Sequence, residues 1–117
     1  MTVYVDDVRH AFGTMIMCHL WADDLEELLV MADRLGLDRR WLQGPPKASW
    51  LHFDVSLRKK AIAIAAGAVL TDKYGPLEHL ARLDIASGDP ARVKRGEAKL
   101  RTLAEARAVR ATSGAEA

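Results

Sequence analysis

Residues 50–65 read Trp50-Leu51-His52-Phe53-Asp54-Val55-Ser56-Leu57-Arg58-Lys59-Lys60-Ala61-Ile62-Ala63-Ile64-Ala65, and their period changes at Ser56. From Trp50 to Val55 large and polar residues alternate, so a strand here sets Trp50, His52 and Asp54 on one face and Leu51, Phe53 and Val55 on the other. Ser56 can cap a helix whose buried stripe runs through Leu57, Ala61, Ile64, Ala65 and Ala68. A strand feeding directly into a helix with a small-residue face is the unit of an α/β protein.

Working outward supports that class. Residues 2–5 are β-branched or aromatic and stop at Asp6-Asp7, which predicts a strand ending in two carboxylates. Residues 14–21, Thr-Met-Ile-Met-Cys-His-Leu-Trp, form an apolar run compatible with a neighbouring strand buried on both faces. Between them Ala11-Phe12-Gly13 offers either a turn or a longer loop exposing Arg9 and His10. Asp23 and Glu26 have capping-box spacing, Leu25, Leu28, Leu29, Ala32 and Leu35 share a helical face, and Gly36 ends it. Residues 37–49, with Gly44-Pro45-Pro46, read as a loop. Residues 69–71 suggest a short strand, and Asp72 to Pro76 turn into a third helix containing Leu77, Leu80 and Leu83. The order β-β-α-β-α-β-α predicts a mixed α/β fold: a small single-layer sheet of about four strands packed by two or three helices, plus a C-terminal helix.

The chain has 117 residues, half of them hydrophobic, which fits one modest core rather than a two-domain enzyme. Its near-zero net charge hides a division: residues 1–89 hold 10 Lys/Arg against 13 Asp/Glu, a net of −3, and residues 90–117 hold 7 against 3, a net of +4. The expected organisation is a compact α/β domain over residues 1–86 and a basic helical tail over 87–117. Asp89 would cap the tail helix, Pro90 would open it, and residues 112–117 would fray. No apolar run approaches the roughly 18 residues a membrane span needs. The N-terminus carries no secretory pattern, and the single Cys18 excludes an internal disulfide, so a cytoplasmic address is expected.

Three constellations can carry chemistry. Asp6 and Asp7 are candidate ligands for a divalent metal ion, although in a strand they point to opposite sides, one to a site and one to a turn. His52 and Asp54, spaced i, i+2, share a strand face where the acid can orient the ring; a salt-bridged surface explains the same spacing. His19, in an apolar run, must find a partner once buried, as a satisfied core histidine or as a site residue. Arg58-Lys59-Lys60 oppose the dipole of the helix they begin, which suggests an anion held by Ser56, the helix N–H groups and these side chains, unless nearby acids neutralise them. Lys47 and Arg9 could add charge, and Trp50 a stacking plane for a nucleotide or a nucleic-acid strand. Cys18 shows no sign of activation. Walker, dinucleotide-glycine, Gly-x-Ser-x-Gly and His-Glu-x-x-His patterns are absent.

The opening Met1-Thr-Val-Tyr-Val-Asp-Asp7, Met17-Cys-His19, Met31-Ala-Asp-Arg-Leu-Gly36 and His52-Phe-Asp-Val-Ser56 through Lys60-Ala61, with Ala66-Gly-Ala68, resemble a family of short bacterial and phage proteins classed as a domain of unknown function. The resemblance covers residues 1 to 83 and implies a compact single domain; the tail lies outside it. The residues themselves favour a metal-assisted or His-dependent hydrolase of a phosphoester or nucleotide-type substrate. Its catalytic groups would be His52, Asp54 and His19, with Ser56, Arg58, Lys59, Lys47, Trp50 and Arg9 binding substrate. The alternatives are a non-enzymatic module binding a nucleotide or nucleic acid, and an interaction protein whose tail completes a homodimer.

Overall fold

The computed structural model describes residues 2–116. Its elements are β1 (Val3–Val5), β2 (His10–Phe12), β3 (Met15–Ala22), α1 (Leu25–Leu35), β4 (Phe53–Ser56), α2 (Leu57–Ala65), β5 (Val69–Leu70), α3 (Gly75–Ala86) and α4 (Pro90–Glu116). The class is mixed α/β, with five strands in a mixed sheet. The chain divides into two compact units, Met1–Lys73 and Tyr74–Ala117, and the Ser87 to Pro90 break is the turn between α3 and α4.

The longest strand, β3, organises the first unit. β1 and β2 both run antiparallel along one edge of it, in the registers Val5↔Leu20 and His10↔Met17, while β4 pairs the other edge with His19 opposite Asp54. β5 lies parallel beside β1. Between β1 and β2, residues 6–9 face only Cys18 and His19, so the strand bulges out of its ladder there. The turn residue Gly13 has φ 62°, a conformation that favours glycine, and reverses the chain from β2 into β3.

The two faces of the sheet have separate tasks. Val5, Cys18, Leu20, Phe53 and Val55 join Leu28, Ala32 and Leu35 of α1 and Ala63 of α2 in one buried core. By the alternation of strand side chains, Tyr4, His10, His19, Trp21 and Asp54 then look out from the opposite face.

Several expectations move. The turn or loop expected over residues 9–13 is a strand, β2, so the chain starts β-β-β. The run at 14–21 is not buried on both faces: Met15 and Ile16 are exposed, and burial begins beyond Met17, because the first half of β3 is one arm of a projecting hairpin. Asp23 does not cap α1. It accepts from the Thr2 N–H at 2.9 Å and the Tyr4 hydroxyl at 3.0 Å, and its own N–H extends the sheet ladder to the Thr2 carbonyl. The cap slides one residue to Asp24, which accepts from the Glu27 N–H at 2.8 Å. Gly36 ends the helix as expected, in the left-handed conformation with φ 74°. β4 starts at Phe53 rather than Trp50, and His52 instead makes an isolated bridge with Gln43.

The stripe expected for α2 is rotated. Ala63 is buried and Ile62, Ile64, Ala61 and Ala65 are exposed, because the stems of Lys59 and Lys60 occupy part of the inward side. Ser56 caps this helix, accepting from the Lys59 N–H at 3.2 Å.

In the second unit Asp89 caps α4 through the Arg92 N–H at 3.0 Å, and α4 lies close against α3 at Gly96. A Cβ there would meet the Ala81 carbonyl oxygen at 2.6 Å, so only glycine permits the approach. Residues 112–116, expected to fray, are instead the helical end of α4, and Ala117 lies outside the described residues.

Candidate histidine and aspartate centre

Asp6 is fully buried, and the bulge that follows β1 explains how. Its N–H still donates to the His19 carbonyl at 3.2 Å, as an antiparallel ladder requires. The reciprocal bond goes to the side chain: the His19 N–H donates to Asp6 Oδ1 at 3.0 Å, and Asp6 Oδ2 lies 2.6 Å from His19 Nδ1. Both carboxylate oxygens therefore serve one histidine. The pairing places the proton on Nδ1 and leaves Nε2 facing the site. The Asp6 hydrogen bond raises the His19 pKa above its ordinary value, against the opposing effect of burial.

His52 is held in a similar way. It is 5% exposed, and its Nδ1 lies 3.0 Å from the Trp50 carbonyl, so it donates there and also presents Nε2. Burial lowers its pKa and favours the neutral ring. Trp50 stacks on this imidazole with centroids 4.2 Å apart and tilts against His19 at 5.6 Å, so the aromatic plane expected for substrate is engaged with the histidines.

The two Nε2 atoms meet on Asp54. Its Oδ1 lies 3.6 Å from His52 Nε2 and 3.9 Å from His19 Nε2. A third ring joins them: His10 Nε2 is 3.7 Å from the same oxygen, and the His10 ring stacks on His19 at 5.2 Å. Asp54 Oδ2 accepts from the Gln43 side-chain amide at 2.6 Å, which fixes the carboxylate. Oδ1 and His10 Nε2, by contrast, are buried with no hydrogen-bond partner. A groove of about 630 Å³ opens beside Asp54, lined by Phe12, Met15, Met17, Trp41, Gln43 and Ser56 among others.

Of the residues singled out in the sequence, His19, His52, Asp54 and Asp6 come together. Asp7 does not: half-exposed, it pairs with Lys60 at 3.3 Å. The Lys59 ammonium donates to the Leu35 carbonyl at the C-terminus of α1, where positive charge is favourable. These two contacts account for cations at the start of α2 without a bound anion. Arg9, Lys47 and Arg58 are exposed and make no hydrogen bond or ion pair with the histidines or Asp54 among the described residues. Cys18 is buried in the core, its thiol pKa pushed up to about 11 by burial, which removes it as a nucleophile.

Two residues escaped the sequence reading. His10 could have been found by treating Gly13-Thr14 as a hairpin turn, which puts Phe12 opposite Met15 and His10 opposite Met17, one diagonal step from His19. Gln43 carries no such signal, since only the bridge to His52 brings its loop to the sheet.

Fold and site together define a small mixed α/β protein whose sheet buries one face under α1 and α2 and bears a three-histidine, one-carboxylate centre on the other. The chain belongs to the family described as a protein of unknown function (DUF4031), whose model matches residues 3–83. No curated protein and no solved structure matches it. Among the described residues no helix is long and apolar enough to cross a membrane.

Proposed function

We propose that the protein is a hydrolase acting on a phosphoester or nucleotide-type substrate at the His19 and Asp54 centre. The observation that carries this reading is the buried Asp6 carboxylate with both oxygens on His19, an arrangement that orients an imidazole and strengthens it as a base. His19 Nε2 takes a proton from an attacking water. As the new oxygen bond to phosphorus forms, the bond to the leaving alkoxide breaks, and the alkoxide takes up the proton that His19 Nε2 received. His52, kept neutral by burial, completes the polar wall, and the groove beside Asp54 has room for the rest of a nucleotide-sized ester. Ser56 and Lys59 line the same groove, with the Lys59 ammonium held by the Leu35 carbonyl.

The test is hydrolysis of nitrophenyl phosphomonoesters and phosphodiesters and of a nucleotide panel. Wild-type protein should turn over at least one class, and His19→Ala and His52→Ala should each lose at least about 100-fold of that rate with an unchanged circular dichroism spectrum. Variants that stay folded and fully active would overturn the assignment.

A further inference from the structure

Phosphoester hydrolysis develops negative charge that something must stabilise, and among the described residues no Lys or Arg makes a hydrogen bond or ion pair with the three histidines or Asp54. Lys59 and Lys60, the nearest candidates in sequence, are committed to Leu35 and Asp7. The centre itself has a matching deficit. Asp54 Oδ1 and His10 Nε2 are buried without partners, a state that costs free energy unless something else satisfies them. Distances of 3.6, 3.7 and 3.9 Å from that oxygen to three Nε2 atoms are too long for hydrogen bonds. They are close to the roughly 3.4 Å between donors around a tetrahedral ion with bonds of about 2.1 Å. One donor atom each from His10, His19 and Asp54 lie within 4.8 Å of one another.

We propose that His10, His19 and Asp54 bind a single divalent transition-metal ion, zinc or a d-block ion of the same ligand preference, with His52 beside them facing Asp54 Oδ1. Two imidazoles and one carboxylate, leaving a coordination position open, are a donor set such ions favour, whereas magnesium and calcium prefer oxygen throughout. The surroundings match as well. Asp6 holds His19 and Gln43 holds Asp54, so two of the three ligands have their orientation fixed by a second group. The carboxylate expected in the sequence to bind metal, Asp6, becomes the group that aims a ligand. The proposal stands on geometry; with the ion bound, His19 Nε2 is a ligand and gives up the role of base that the hydrolytic reading assigns it in the ion-free centre.

The experiment strips the full chain with a chelator and titrates it with Zn²⁺ by calorimetry and with Co²⁺ by visible absorption. One ion per chain is expected. His10→Gln and Asp54→Asn should each weaken binding by more than about 100-fold, beyond the usual effect of losing an outer partner, while Asp7→Asn should bind as wild type. His10 lies on the projecting hairpin, so His10→Gln remains decisive even if Asp54→Asn fails to fold. Absence of stoichiometric uptake by wild type overturns the proposal, as does unchanged affinity in His10→Gln. Uptake of one ion without any phosphoester turnover supports the metal centre and overturns the hydrolytic reading instead.

Discussion

Asp6 shows how much one side chain can decide. Its carboxylate replaces a backbone acceptor in the β1 to β3 ladder and in the same move selects the tautomer of His19. Asparagine is nearly isosteric but offers a single acceptor oxygen, and its amide nitrogen can only donate. In Asp6→Asn the oxygen would keep the His19 backbone N–H and the amide would face Nδ1, driving the ring proton to Nε2. Imidazole ¹⁵N shifts should therefore report the opposite tautomer of His19, and turnover should fall about 100-fold or more with the fold retained. An Nδ1–H ring in that variant would show that Asp6 does not set it. Residue identity made Asp6 visible in the sequence as a candidate, but its role depends on the bulge, which no local pattern announced.

At the scale of elements, the places where expectation and structure part share a cause. Apolar periodicity identifies elements by side-chain type, yet Asp23 was drawn into the sheet by Thr2 and Tyr4, and the α2 stripe turned because lysine stems cover apolar surface as leucine would. The α3 and α4 pair is tied by a charged contact that the sequence left implicit: Asp84 accepts from Arg92 Nε at 2.9 Å and from Arg95 Nε at 3.3 Å. The Arg95 and Arg92 hydrogen bonds lower the Asp84 pKa. A carboxyl whose pKa is depressed on folding stabilises the folded state above its unfolded value, near 3.9, and that contribution disappears as pH falls through the folded value. Wild type should therefore exceed Asp84→Asn in stability at neutral pH, and the difference should shrink to nothing in acid and diminish in salt, because the pair is solvent-screened. A difference that is constant from neutral to acid pH in thermal melts would rule out the ion pair as its source.

For the whole molecule, the governing fact is that consecutive β4 residues serve opposite faces. Phe53 is fully buried among core residues, whereas Asp54 belongs to the histidine centre. In urea denaturation Phe53→Ala should cost about 3–5 kcal/mol, and Asp54→Asn far less, since it removes no core atoms. Equal losses would mean that the centre is structural.

The sequence by itself determined the mixed α/β class, the Gly36, Ser56 and Asp89 helix boundaries, and the pairing of His52 with Asp54, because period and capping are local properties of the chain. Only the tertiary structure decided that His10 joins His19, that Asp6 orients a ring while Asp7 pairs with Lys60, and that the α2 cations are committed elsewhere. The histidine contacts depend on strand register across β3, and the lysine contacts join residues far apart in the chain. A shift of one residue in the register of β3 would turn His19 to the core face and break the centre.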